Sequence, residues 1–144
     1  MPDEPGVFLG IDPGTQRIGV AVSNPEATMA FPLGVLSTDD GPLSEQVAGI
    51  AREREAVALV VGLPRRLDGT EGPEASAARE FGEEVSRVAK VPVHMFDERF
   101  TTVDAAAAMR RGGVSERKQR GKVDKVAAAL LLQAFLDSRQ GSRP

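Results

Sequence analysis

The sequence of 144 residues contains no cysteine. Disulfides, thiolate metal sites and a cysteine nucleophile are therefore excluded, and the absence fits a reducing compartment. No apolar run approaches the ~20 residues that a membrane-spanning helix needs. The N-terminal segment Met1-Pro2-Asp3-Glu4-Pro5 is acidic and proline-bearing, so it lacks the basic and apolar regions of a signal peptide. We expect a cytoplasmic protein without a membrane segment.

Tryptophan and tyrosine are also absent, and phenylalanine occurs six times. A stacking platform for single-stranded bases is therefore poorly supported. The single histidine, His94, excludes any site that needs two imidazoles. Because His94 alternates with the apolar residues of a predicted strand, we expect it to be structural or to face solvent. Any site for a hard cation must then be built from carboxylates.

The net charge of −3 conceals a local excess of positive charge. The stretch from residue 110 to residue 125 carries seven basic and two acidic residues, a local charge of +5 that leaves −8 for the rest of the chain. Such separation is typical of a surface that binds phosphates, and solvated basic loops show it too. The seven basic residues are Arg110, Arg111, Arg117, Lys118, Arg120, Lys122 and Lys125.

Apolar runs and turn residues predict five strands. The turns at Pro13-Gly14 and Asn24-Pro25 separate three opening strands, and two helix–strand units and a final helix follow. This order requires an antiparallel start and then right-handed parallel crossovers. We therefore expect an α/β fold with a five-stranded mixed sheet flanked by helices. The predicted strands are Val7–Ile11, Ile18–Val22, Met29–Leu36, Val57–Val61 and Val91–Phe96.

The chain shows no repeat and no interdomain linker, so we expect a single domain over residues 1–137 and a short flexible tail over residues 138–144. Thr101 and Asp104 resemble the capping box of a short alanine-rich helix that stops at Gly112-Gly113. A basic loop follows, and the final helix is predicted to present its inner face from Val123 onward.

Acidic residues stand at the ends of several predicted elements. Asp12 ends the first strand, Asp97 and Glu98 end the last strand, and Asp124 lies near the start of the final helix. Open α/β sheets bind ligands at the carboxyl ends of their parallel strands, so the strand-end acids should meet at one edge. Carboxylates that converge repel one another unless a cation is present. Mg²⁺ or Mn²⁺, as one or two ions, suits oxygen ligands and supports phosphodiester hydrolysis.

Two of these acids also have a simpler interpretation. Asp12 could serve only the turn chemistry of a hairpin, and Asp124 could serve only the dipole of a helix start. Asp68, which precedes a glycine, is predicted to be a turn former.

Three arginines on the same predicted edge are candidates for phosphate contacts. Arg65 and Arg66 lie in the polar loop after the fourth strand, where the alternative is that they only solvate the loop. Arg99 follows the acidic pair, and it could contact phosphate or neutralise Asp97.

Four segments together resemble one family: GIDPGTQRIGVAVS, VVGLPRRLDGTEGP, VHMFDERFTT and VDKVAAALLLQ. They are similar, in the same order, to the YqgF family, also called RuvX, and the resemblance extends from Val7 to Leu136. That family comprises ribonuclease-H-like nucleases related to the junction resolvase RuvC. The resemblance implies a ribonuclease-H-like fold and implies that Asp12, Glu98 and Asp124 are metal-binding catalytic acids. It leaves open whether Asp97 shares the role of Glu98.

The resemblance implies a nuclease that acts on structured nucleic acid, with two candidate substrates. One is the 5′ end of pre-16S rRNA, which is preferred; the other is a four-way DNA junction, whose resolution requires a homodimer. For either substrate, the basic candidates for nucleic-acid binding are Arg65, Arg66, Arg99, Arg117, Lys118, Arg120 and Lys122. Two further hypotheses are a non-catalytic RNA-binding module and nucleotide binding of the actin and Hsp70 type, since GIDPGT resembles the phosphate loop of that fold.

Overall fold

The protein forms a five-stranded mixed sheet with the strand order β3-β2-β1-β4-β5. This computed structural model describes the backbone of residues 6–100 and 116–141 and the side chains of residues 6–99 and 125–139. β1 pairs antiparallel with β2 and parallel with β4, and β4 pairs parallel with β5. The predicted mixed sheet is therefore confirmed. The strands are β1 Phe8–Asp12, β2 Arg17–Ser23, β3 Ala30–Ser37, β4 Ala58–Leu63 and β5 Val93–Asp97.

Two helices begin where proline favours a helix start. α1 spans Leu43–Glu53 directly after Pro42, and α2 spans Pro73–Ala89 with its proline in the first turn. Proline suits that position because its missing N–H would have no partner inside the helix. Another long helix, α3, spans Glu116–Gly141, and a short 3-10 turn, Glu98–Phe100, follows β5.

Strand alternation sends the buried side chains of β1 to opposite faces of the sheet. On one face, Leu9 and Ile11 of β1 pack with buried residues of α1 and with Val85 of α2. On the other face, Phe8 of β1 packs with Leu132 and Leu136 of α3. We refer to these as the α1–α2 face and the α3 face. Because successive residues of a strand point to opposite faces, the even-numbered residues of β1 belong to the α3 face.

α3 crosses the sheet in close contact with Gly10 of β1. A Cβ atom at Gly10 would lie 2.7 Å from the Cβ of Leu132 and 3.1 Å from the carbonyl oxygen of Ala128. At the start of β1, the Arg139 guanidinium stacks 4.7 Å from the centre of the Phe8 ring. Moving forward along β1 therefore means moving backward along α3, so the strand and the helix run antiparallel.

Replacing Gly10 with Ala is expected to destabilise the fold by about 1–3 kcal/mol, the usual cost of overpacking a core. The added methyl group has no room, because both neighbours belong to the helix rather than to a movable side-chain end. Gly49 of α1 has no atom within 4 Å of the same position. Gly49→Ala should therefore stabilise the protein by up to about 1 kcal/mol through helix propensity. Urea unfolding of both variants measures the contrast, and equal stability would contradict the helix–strand contact.

The structure corrects two boundaries that the sequence predicts. The stretch predicted as a basic loop is already helical from Glu116, so the backbone of Arg117, Lys118, Arg120 and Lys122 belongs to α3. The physical reason is that Glu, Arg, Lys and Gln are all good helix formers. At the other end, α3 continues through Gly141, so the residues from Ser138 to Gly141 extend the helix instead of forming a tail. The predicted alanine-rich helix between Thr101 and Gly113, with Arg110 and Arg111, lies outside the described residues.

Candidate nuclease site

The parallel pairing of β1, β4 and β5 brings their carboxyl ends to one edge of the sheet. Ile11 pairs with Val61, so the next residues, Asp12 and Gly62, lie at the same level. Leu63 pairs with Asp97, which places Glu98 just beyond that level on the neighbouring strand. Asp12 and Glu98 are 86 residues apart in sequence, yet the sheet topology makes them neighbours.

The side chain of Glu98 lies over the backbone of Gly62 and reaches Asp12. A Cβ atom at Gly62 would stand 2.5 Å from Oε1 of Glu98, so the carboxyl group occupies the space that any other residue would fill. The carboxyl groups of Glu98 and Asp12 are hydrogen-bonded to each other. Burial raises the pKa of Glu98, and the negative charge of Asp97 raises that pKa further. The hydrogen bond with Asp12 acts in the opposite direction and lowers the pKa by less than burial raises it.

This pair of carboxyl groups suits a divalent cation. Two ionised carboxylates in contact and partly out of water repel each other, and either a shared proton or a cation removes the repulsion. Hard cations such as Mg²⁺ and Mn²⁺ take oxygen ligands of this kind. Among the described side chains, no group of three or more acidic, histidine or cysteine residues converges on one point. Asp124 of α3, whose side chain lies outside that set, is the further acid that the family resemblance implies.

The course of α3 relates the backbone at position 124 to the end of β1 that carries Asp12. Position 124 precedes Ala128 by one helical turn, and Ala128 and Leu132 are the residues that meet Gly10. One turn of helix rises about 5.4 Å, close to the two strand residues that separate Gly10 from Asp12. The antiparallel course of α3 thus carries the backbone of Asp124 toward the edge where Asp12 and Glu98 meet. Asp124 also lies more than two turns inside α3, beyond the first turn where the helix dipole favours an acid.

Asp97 is paired with two arginines. It is 9% exposed, and Arg99 holds it with its backbone N–H (2.8 Å to Oδ1), its Nε (2.9 Å to Oδ2) and its Nη2 (2.7 Å to Oδ2). Nη1 of Arg65 lies 3.7 Å from Oδ2. The hydrogen bonds from Arg99 lower the pKa of Asp97 despite its burial. Asp97 is therefore an ionised partner of arginines, whereas Glu98 faces Asp12.

The polar loop between β4 and α2 is closed by its own contacts. Arg65 also pairs with Glu71 at 3.3 Å, and Arg79 holds Glu71 through Nε and Nη2 at 2.8 and 2.7 Å. Asp68 accepts hydrogen bonds from the backbone and the hydroxyl of Thr70, as expected of a turn former. The side chains of Arg65 and Arg99 are thus both engaged with carboxylates instead of being directed to solvent alone.

The other candidate residues lie away from the acid pair or outside the described side chains. His94 is exposed and packs its ring against Phe135 at 5.2 Å, and partial burial together with the charge of Arg139 lowers its pKa. The guanidinium of Arg66 lies against Gly72 at the start of α2. The side chains of Asp124 and of the basic residues from Arg117 to Lys122 are not among those described. None of the helices in residues 6–100 and 116–141 is long and apolar enough to cross a membrane.

The sequence did not single out Gly62 or the Glu71–Arg79 ion pair. The role of Gly62 depends on a side chain that arrives from another strand, which no local pattern reveals. Its position at the end of the apolar run of β4, directly before Leu63-Pro64, is the one signal that marks it as unusual, since glycine inside a strand often indicates close approach of another group.

The topology is shared with a solved structure of a junction resolvase. The chain superposes on the structure described as "T. thermophilus RuvC in complex with Holliday junction substrate" with a TM-score of 0.60. The match covers 95% of this chain and 97% of that one at 20% identity, a level that shows the fold. The mixed sheet of this order places the chain in the class of α/β proteins with a ribonuclease-H-like fold.

Sequence comparison gives the family. The family model RuvX, described as Holliday junction resolvase, matches residues 6–138. A protein of Rhodococcus opacus (strain B4) named "Putative pre-16S rRNA nuclease" is 45% identical, over 98% of this chain and 86% of that protein. A protein of the same name from Anaeromyxobacter sp. (strain Fw109-5) is 44% identical, over 92% of this chain and 97% of that protein. The chain belongs to the RuvX family.

Proposed function

We propose that the protein is a divalent-metal-dependent endonuclease in which Asp12, Glu98 and Asp124 bind the metal. The observation that carries this proposal is the half-buried contact between the carboxyl groups of Asp12 and Glu98 at the carboxyl edge of the sheet. We assign Asp124 as the third acid, because α3 runs from its contact with Gly10 toward this edge of the sheet. Mg²⁺ and Mn²⁺ both suit such ligands.

The backbone holds two of these acids at the edge of the sheet. Asp12 is fixed by the last backbone pairing of β1, and Glu98 is fixed by the short turn after β5 and by the glycine beneath it. A bound divalent ion lowers the pKa of water and offsets the charge of a phosphate. The chain lacks cysteine, and His94 packs on Phe135 away from the acids, so hydrolysis by water is the chemistry that these residues support.

The substrate we propose first is pre-16S rRNA, cleaved near its 5′ end in the cytoplasm. Relatives at 44 and 45% identity over most of the chain are named as pre-16S rRNA nucleases. The second candidate is a four-way DNA junction, which the family description and the RuvC complex favour. Junction resolution needs two sites related by a twofold axis and thus a homodimer, whereas RNA trimming does not.

A cleavage assay with both substrates tests the proposal. Wild-type protein is incubated with precursor RNA that contains the mature 5′ boundary, or with a four-way DNA junction, in Mg²⁺, Mn²⁺ or EDTA. Metal-dependent cutting at the RNA boundary supports rRNA processing, and paired symmetric nicks in the junction support a resolvase. If neither substrate is cut with either metal, the nuclease proposal fails and a non-catalytic binding module accounts better for the basic stretch.

The basic stretch at the start of α3 gives a separate prediction. Neutralising Arg117, Lys118 and Arg120 together is expected to weaken nucleic-acid binding and to reduce the slope of log K against log salt by up to about 3. Each lost phosphate contact releases one counterion fewer, which is the physical reason. Binding in EDTA at several salt concentrations measures the slope.

A matched triple variant provides the control for that experiment. Arg52, Arg54 and Arg87 are exposed and lie in or directly after α1 and α2, so they are on the opposite side of the sheet from α3. Their neutralisation removes the same charge and should change the slope much less. Equal slopes for the two triple variants would remove the start of α3 from the proposed interface.

A further inference from the structure

Asp97 joins two segments of the chain that border the candidate site. Arg65 reaches it from the loop after β4, and Arg99 reaches it from the turn after β5. The Arg99 guanidinium also lies against Gly69, where Nη1 would be 3.4 Å from an added Cβ. One carboxylate and two guanidinium groups therefore tie the β4–α2 loop to the turn that begins at Glu98.

The contacts between Asp97 and Arg99 constrain the position of Glu98 through the backbone. Oδ1 of Asp97 accepts a hydrogen bond from the backbone N–H of Arg99 at 2.8 Å. This bond joins the two residues on either side of Glu98 and so fixes the turn that contains it. The same oxygen pair receives the guanidinium of Arg99, so the turn is held by backbone and side-chain bonds together. Charge-assisted, forked bonds of this type fix geometry better than single neutral ones.

We propose that Arg99, together with Arg65, acts through Asp97 as a positioning group that keeps the Glu98 carboxyl against Asp12. This inference rests on the proposed metal-dependent function. It assigns Arg99 a role different from a phosphate contact: its loss should weaken the metal site while the affinity for nucleic acid stays the same. Mutation of residues that orient metal ligands without touching the ion typically lowers metal affinity by about 10–100-fold.

The test compares Arg99→Gln with Arg79→Gln. Arg79 makes an equivalent fork with Glu71 in the same loop, at 2.8 and 2.7 Å, and does not contact Asp97 in the described contacts. Arg99→Gln is expected to weaken Mn²⁺ binding at least about 10-fold and to lower kcat with KM for the cleaved substrate unchanged. Arg79→Gln should bind Mn²⁺ and cleave as the wild type does. Mn²⁺ alone, titrated by calorimetry, is the probe for the metal site.

A second variant separates positioning from a loss of folding. Arg99→Lys keeps the positive charge beside Asp97 but loses the fork, so it should keep the melting temperature and recover only part of the Mn²⁺ affinity. An increase in KM with unchanged Mn²⁺ affinity in Arg99→Gln would overturn the proposal and make Arg99 a phosphate contact. Wild-type affinity and kcat in Arg99→Gln would overturn it as well.

Mn²⁺ binding by the Asp12 and Arg99 variants distinguishes an incorrect metal site from an incorrect positioning role. If Mn²⁺ binding by the wild-type protein is insensitive to Asp12→Asn, the proposed metal site is wrong and the positioning role falls with it. If binding depends on Asp12 but not on Arg99, the metal-dependent function stands and the positioning role alone is overturned.

Discussion

Asp12→Asn is expected to reduce metal-dependent cleavage at least about 100-fold, because the charge that a metal ligand supplies is worth several kcal/mol in the transition state. The loss should appear in kcat. Nucleic-acid binding should be retained, since Asp12 lies at the end of β1 and not in the basic stretch. The fold should also be retained. The introduced amide can donate a hydrogen bond to Glu98, and it removes the repulsion between two adjacent carboxylates.

Glu98→Gln and Asp124→Asn should give losses of the same kind. The matched control is Asp137→Asn, which removes one exposed carboxylate from the far end of α3, where Asp137 accepts a hydrogen bond from Gln133. That variant should cut at the wild-type rate. Cleavage assays under single-turnover conditions, with melting temperatures recorded in EDTA, measure both properties. An Asp12→Asn protein that cuts normally would contradict the assignment of the site.

Gly62→Ala is expected to lower cleavage about 10–100-fold, the scale of loss that a misplaced catalytic group produces. A methyl group there would lie 2.5 Å from Oε1 and 3.1 Å from Cγ of Glu98, so the carboxyl group must move off the strand. Stability should change little, because the displaced atoms form the end of a flexible side chain. Gly62 is not among the glycines with positive φ, so alanine fits its backbone conformation.

Gly34→Ala is the control for that substitution. Gly34 also lies within a strand, and no atom comes within 4 Å of the added position. It should leave cleavage unchanged. If the Gly62→Ala variant cleaves at the wild-type rate, the position of Glu98 over Gly62 is not required for activity.

Much of the sheet and of the acid pair could be predicted from the sequence. The turn at Pro13-Gly14 and the apolar run from Val57 to Val61 determine strand direction, and strand direction brings Asp12 and Glu98 to one edge. Asp97 and Glu98 are consecutive, so side-chain alternation at the end of β5 predicts that they point to different sides.

The remaining features depend on contacts that local patterns do not encode. Arg65 and Arg99 are long side chains in polar segments, and their choice of Asp97 as a partner follows from the packing of two loops. The close approach of α3 to Gly10 likewise depends on how the helix docks on the sheet. Charge density made the segment after Glu116 resemble a loop, although its helix propensity is high.

The most direct test of the metal site is a crystal structure of the wild-type protein with Mn²⁺, using the anomalous signal of the ion to locate it. We predict a Mn²⁺ peak in contact with the carboxylates of Asp12 and Glu98, with Asp124 as the third acidic ligand, while Asp97 remains with Arg65 and Arg99. A Mn²⁺ ion bound elsewhere, with Asp12 and Glu98 still hydrogen-bonded to each other, would contradict it.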